Sequence, residues 1–123
     1  MIKVIELRKA INTLLKTTHP RVYYKKAPED APYPYVVFRL VNSRTESSLE
    51  QFNLEVTTWD NQTNTTIIET LMDNVKKALN KTSVIIEGLG FTLHYERMFD
   101  VEDNEERLNG RMHTYQVRTY EGG

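Results

Sequence analysis

The chain of 123 residues is the size of one domain, with room for a core that needs neither disulfide nor structural metal. Hydrophobic residues make up 39% and charged residues 27%, with 4 Phe, 7 Tyr and 1 Trp, which excludes a disordered body. Sixteen Lys and Arg against 17 Asp and Glu leave a net charge of −1, which speaks against a general nucleic-acid binder, and zero Cys removes disulfides, thiol catalysis and cysteine-based zinc sites together.

Residues 2–17 read as a helix. Val4, Leu7, Ile11, Leu14 and Leu15 recur at three- and four-residue steps, while Lys3, Glu6, Lys9 and Lys16 fall elsewhere. Pro20 limits that helix, because the residue before a proline is pushed out of the helical region. The charges that interrupt this start predict no cleavable leader, and no apolar run approaches the ~20 residues of a membrane span. Soluble protein made in the cytoplasm is the expectation.

Arg21 to Lys25 has β character but is short. A linker follows at 27–34, rich in proline and unfit for a central strand or a helix interior. Tyr35 to Val41, reaching about residue 42, is dominated by β-branched and aromatic residues and predicts a strand. Polar residues 42–48 predict a turn. Phe52, Leu54 and Val56 then alternate with polar neighbours, the period of a strand with one wet face, over about 51–59. Together these two strands predict an antiparallel hairpin with a longish loop.

A second helix fits 63–79, where Ile67, Ile68, Leu71, Met72, Val75, Ala78 and Leu79 keep the helical period. Asp60 or Asn64 is a candidate cap at its start, and Asn80 a candidate left-handed residue at its end. Residues 83–86 predict a short edge strand. Gly88 and Gly90 turn the chain into a strand at 91–99, with Phe91, Leu93, Tyr95 and Phe99 on one face. The last strand fits 111–120, with Tyr115 and Val117 inward. Between them, residues 100–110 are acidic and predict a protruding hairpin loop. The order predicts a single two-layer α+β domain, an antiparallel sheet with two helices packed on one face.

Chemistry is sparse. His94 and His113 fall on neighbouring predicted strands, where they could face each other, but two imidazoles without a third ligand make a poor zinc site. Asp100, Glu102, Asp103, Glu105 and Glu106 crowd five carboxylates into seven residues. Counted from Asp100, the sixth position is Glu105 and the twelfth Arg111, so the glycine and the bidentate Glu of a calcium loop are both missing. None of the four Ser stands in a nucleophile elbow, and no phosphate-cradling glycine loop is present. Glu55 and Glu96 read as wet-face charges. The three glycosylation sequons read as chance. No catalytic residue, cofactor or metal is expected, and an enzyme is not.

Charge is distributed unevenly. Residues 1–26 hold seven basic side chains (Lys3, Arg8, Lys9, Lys16, Arg21, Lys25 and Lys26) against Glu6 alone, while 100–106 holds only acids. Opposite patches allow copies to dock head to tail, and such a contact closes into a ring when the rotation fits. Self-association is therefore assigned to Lys3, Arg8, Lys9, Arg21, Lys25 and Lys26 against Asp100, Glu102, Asp103, Glu105 and Glu106. Separate solvated surfaces, or pairing within one chain, are the alternatives.

Several segments carry a family likeness: the run from Ala27 to Phe38 with Pro34-Tyr35-Val36-Val37-Phe38, the pair Trp59-Asp60 before a helix ending Val75-Lys76-Lys77-Ala78-Leu79, and the aromatic strand from Tyr115 to Tyr120. Over nearly its whole length the chain resembles the small tail-completion, or head-to-tail joining, proteins of long-tailed bacteriophages and prophages. The resemblance implies an α+β fold and a commonly hexameric ring at the head-proximal end of the tail. There it would stop tail-tube polymerisation and dock the tail onto the head connector. It implies no active site and no membrane partner. DNA would only pass through the lumen, and the acidic segment is a candidate lining, since basic walls would bind the phosphates. Another head-completion or minor tail protein, and a small ligand- or nucleic-acid-binding module, are the rival readings.

Overall fold

The computed structural model describes residues 4–46, 49–86, 88–103 and 108–121, which contain two helices and six strands. The first helix, α1 (Val4–Lys16), buries Leu7, Ile11 and Leu15 along one stripe. The hydroxyls of Thr17 and Thr18 donate back to the Leu14 and Leu15 carbonyls, which the Thr17 and Thr18 amides also reach, so the last turn closes tightly.

Strand β1 (Val22–Tyr24) lies parallel to β2 (Tyr35–Glu46), with Val22 opposite Val36 and Tyr24 opposite Phe38. The sheet is therefore mixed, not purely antiparallel. Parallel strands need a crossover, and here the proline-rich linker supplies it. Lys25 enters it in the left-handed region at φ 67, and the Ala31 amide donates to the Pro28 carbonyl. Arg21 and His19 hold its far end. Arg21 Nε donates to Pro34 O at 3.1 Å, and His19 Nε2 lies 2.9 Å from the same oxygen. A carbonyl only accepts, so that nitrogen carries the proton.

Strand β3 (Leu49–Asp60) runs antiparallel to β2 and to β6 (Leu108–Glu121). Beyond β6 come β5 (Leu89–Asp103) and the edge strand β4 (Ser83–Ile86), so the sheet order is β1-β2-β3-β6-β5-β4. Both predicted loops shrink. The β2–β3 pairing continues to Glu46 opposite Leu49, and the β5–β6 pairing to Asp103 opposite Leu108. Residues 47–48 and 104–107 lie outside the described residues. Polar side chains do not stop a ladder whose hydrogen bonds are made by the backbone.

The alternation expected in β5 breaks at a bulge. Tyr95 is opposite Tyr115 but Arg97 is opposite Thr114, leaving Glu96 as the extra residue. One inserted residue inverts every later side chain. Phe99 consequently leaves the face of Phe91, Leu93 and Tyr95 and is 39% exposed.

Helix α2 (Thr66–Leu79) buries Ile68, Leu71, Met72, Val75 and Leu79. Neither expected residue is the cap: the helix starts after Thr65, whose side chain makes no capping bond. Asn64 Oδ1, one residue further out, accepts from the Thr66 amide at 2.9 Å, and Asp60 Oδ1 accepts from the Asn61 amide. At the other end the left-handed residue is Lys81, at φ 62, and not Asn80, whose backbone is extended. Asn80 serves differently, since its Oδ1 accepts from the Tyr95 amide at 3.0 Å and ties the helix end to β5. Leu7, Ile11 and Leu15 of α1 and Leu71, Met72, Val75 and Leu79 of α2 join the curled sheet in one core that includes Val36, Phe38, Leu54, Val56, Phe91, Leu93, Tyr115 and Val117. Among the described residues no helix is long and apolar enough to cross a membrane.

Candidate functional site

Lys3, Glu105 and Glu106 lie outside the described residues. The other residues assigned to self-association fall in different settings. Arg8 is half-buried on α1 with its guanidinium 4.7 Å from the Tyr24 ring centre, beside exposed Lys9. Arg21 is spent on the carbonyls of Tyr33 and Pro34. Lys25 and Lys26 are exposed and line a cleft of about 570 Å³ floored by Tyr35, Val37 and Trp59. Asp103 lines the same cleft, so one basic and one acidic predicted segment meet within a single chain. Glu102 is exposed, and Asp100 accepts from Arg111 Nε at 3.0 Å.

The histidines do not form a pair. His94 is opposite Gln116, and His113 is opposite Met98. His113 is instead buried beneath α2, its ring edge-on to Tyr95 at 5.0 Å and its Nδ1 3.2 Å from the Tyr115 hydroxyl. Burial, helped by the nearby Lys76 cation and opposed by the Asp73 carboxylate, pushes its imidazole down to about 4. Burial likewise holds the Tyr115 phenol well above its ordinary value, aided by Tyr95. His19 is held below its ordinary value by burial, against the raising hydrogen bond to Pro34, with the Arg21 cation adding to the lowering. Glu55 pairs across strands with Arg39 at 2.6 Å. Among the described residues no group of three His, Asp or Glu could hold a metal ion.

A second surface runs over the first turns of α2. Two adjoining hollows of about 320 and 350 Å³ share Pro34, Thr66 and Ile67. The first is walled by His19 and Leu71, the second by Asn61, Gln62, Asn64 and the end of β3 at Asp60. Asp60 is 3% exposed, and its Oδ2 is buried without a hydrogen-bond partner among the described residues.

The family model of the tail completion protein gp17 matches residues 4–120, a span that includes both helices and reaches into every strand. The chain belongs to this family. As a tail completion protein it is a structural component of bacteriophage tail assembly, placed in the virion. Its fold is similar to that of a solved chain from the virion of a native gene transfer agent particle, with a TM-score of 0.71. The identity is 11%, over 89% of this chain and 90% of that one, so the likeness is one of fold. No curated protein sequence matches the chain.

Two polar settings in this tail completion protein escaped the reading of the sequence. Arg111 is only 14% exposed and bridges the β5–β6 ribbon to α2, donating to Asp100 and, at 3.2 Å, to Glu69. Only the register that sets Asp100 opposite Arg111 makes this visible. Asp60 read as a helix cap, because a carboxylate before a helix is usually that. Its burial comes from the packing of the linker and α2 around the end of β3.

Proposed function

We propose that this tail completion protein assembles with copies of itself into a ring at the head-proximal end of the tail. There it terminates the tail tube and joins the tail to the head connector, so its partners are its own copies, the connector and the tube protein. The observation that carries this reading is the family match over residues 4–120. The virion origin of the structurally similar chain supports it. So does the separation of charge, because the basic excess of residues 1–26 suits a head-to-tail contact with acids of the next copy. The task is docking, with no reaction, cofactor or metal. Exposed Glu102, at the end of the β5–β6 ribbon, suits a lumen that lets DNA slide.

Deleting the gene, inducing particle production and imaging the lysate by negative-stain electron microscopy tests this. Filled heads beside unattached tails of irregular length are expected. Intact particles would overturn the reading.

A further inference from the structure

The groove over α2 joins two unlike halves. Its apolar half is walled by Leu71, Pro34 and Ile67, which is 54% exposed. Its polar half is walled in part by Asp60, whose Oδ1 accepts from the Asn61 amide at 2.8 Å and whose buried Oδ2 has no donor among the described residues. A carboxylate withdrawn from water is costly unless donors compensate it. Neighbouring donors are engaged elsewhere: Arg21 on Tyr33 and Pro34, and the Asn109 amide on Gln62 O at 3.0 Å. A metal ion is poorly served by one carboxylate, as Asn64 Oδ1 already accepts from both the amide and the hydroxyl of Thr66.

We propose that this groove is the socket for a lysine or arginine side chain of a second copy of the chain. Its methylene stem would lie along Ile67, Leu71 and Pro34, and its head group would pair with the Asp60 carboxylate. An apolar trough adjoining a buried anion fits an amphipathic cation, whose stem prefers apolar surface while its head seeks a charge partner. Charge complementarity points to the chain itself. Among the basic residues of its first 26 positions, Lys9, Lys16 and Lys26 are exposed and enter no ion pair among the described residues. Asp100, an obvious alternative acceptor, is already taken by Arg111. Socket and donors are different parts of one surface, so the contact is head to tail and propagates around a ring. This inference rests on the ring reading above and names its contact.

The test uses particles from a deletion strain complemented with variant chains. With no native Cys, engineered thiols report single contacts. Chains carrying Gln62→Cys are mixed with chains carrying Lys9→Cys, Lys16→Cys or Lys26→Cys and treated with a short dithiol-reactive cross-linker, since a lysine stem holds backbones beyond the ~7 Å disulfide limit. A cross-linked dimer from at least one mixture is expected. Asp60→Asn, which removes the charge and keeps the shape, should lower incorporation into particles at least tenfold. Ile67→Lys, at an exposed position, should do the same by filling the socket from within. Chains that enter particles without any cross-link, or with both variants incorporated like the wild type, would overturn the socket and leave the ring standing. Particles that form without the chain would overturn both.

Discussion

Acidification should unfasten this domain through one buried imidazole. His113 is 3% exposed, wedged against Tyr95 and Tyr115, and is pushed from 6.5 down to about 4. Above 6.5 the imidazole is neutral in folded and unfolded chains alike and costs nothing. As pH falls through 6.5 the unfolded chain takes up a proton that the folded one refuses until about 4, so stability is lost across that window. At 1.36 kcal/mol per pH unit the loss reaches about 2.5 kcal/mol near pH 4.5. That is a large part of the roughly 5–15 kcal/mol that holds such a domain together. Urea denaturation of the wild type and of His113→Gln, near pH 7.5 and near pH 4.5, isolates this effect. Carboxylates and His19 titrate in both proteins and cancel. The wild type should lose about 2 kcal/mol more than the variant between the two conditions. Equal losses would refute the argument that burial holds this ring neutral.

Three further perturbations probe the frame around the contact surfaces. Gly110→Ala would place a Cβ 2.8 Å from Val101 Cγ2, 2.9 Å from Trp59 Cε3 and 3.0 Å from the Thr58 carbonyl, so it should cost about 1–3 kcal/mol and lower the melting temperature by several degrees. Asn80→Ala leaves the half-buried Tyr95 amide without its acceptor and should cost about 1–2 kcal/mol by urea denaturation, with faster hydrogen exchange at that amide. Arg111→Met keeps the buried stem but drops two ion pairs to exposed acids, so it should cost no more than about 1 kcal/mol in dilute buffer and almost nothing in 1 M salt.

Much of the frame was legible in the residues. Leu7, Ile11 and Leu15, and then Ile68, Leu71, Met72, Val75 and Leu79, repeat at the helical period, and they are the residues that α1 and α2 bury. Phe52, Leu54 and Val56 alternate as a strand with one wet face should, and all three are buried. The proline linker is a linker. Both patterns are local, written by the geometry of a single element, and so they survive without knowledge of its neighbours.

Whatever depends on a partner distant in sequence was decided by tertiary structure. The parallel pairing of Val22–Tyr24 with β2 reverses the expectation of an antiparallel sheet, because the direction of a three-residue edge strand follows from where its crossover delivers it. The bulge at Glu96 exposes Phe99, and the register sets His94 opposite Gln116, three residues and one face away from His113; no composition rule marks either. The ladders that consume the predicted loops are made of backbone groups, which are alike in every sequence. Arg111 and Asp60 owe their settings to the same cause. Residue type announced a cation and a carboxylate, but only packing determined which one is bridged between two acids and which one is buried with an oxygen to spare.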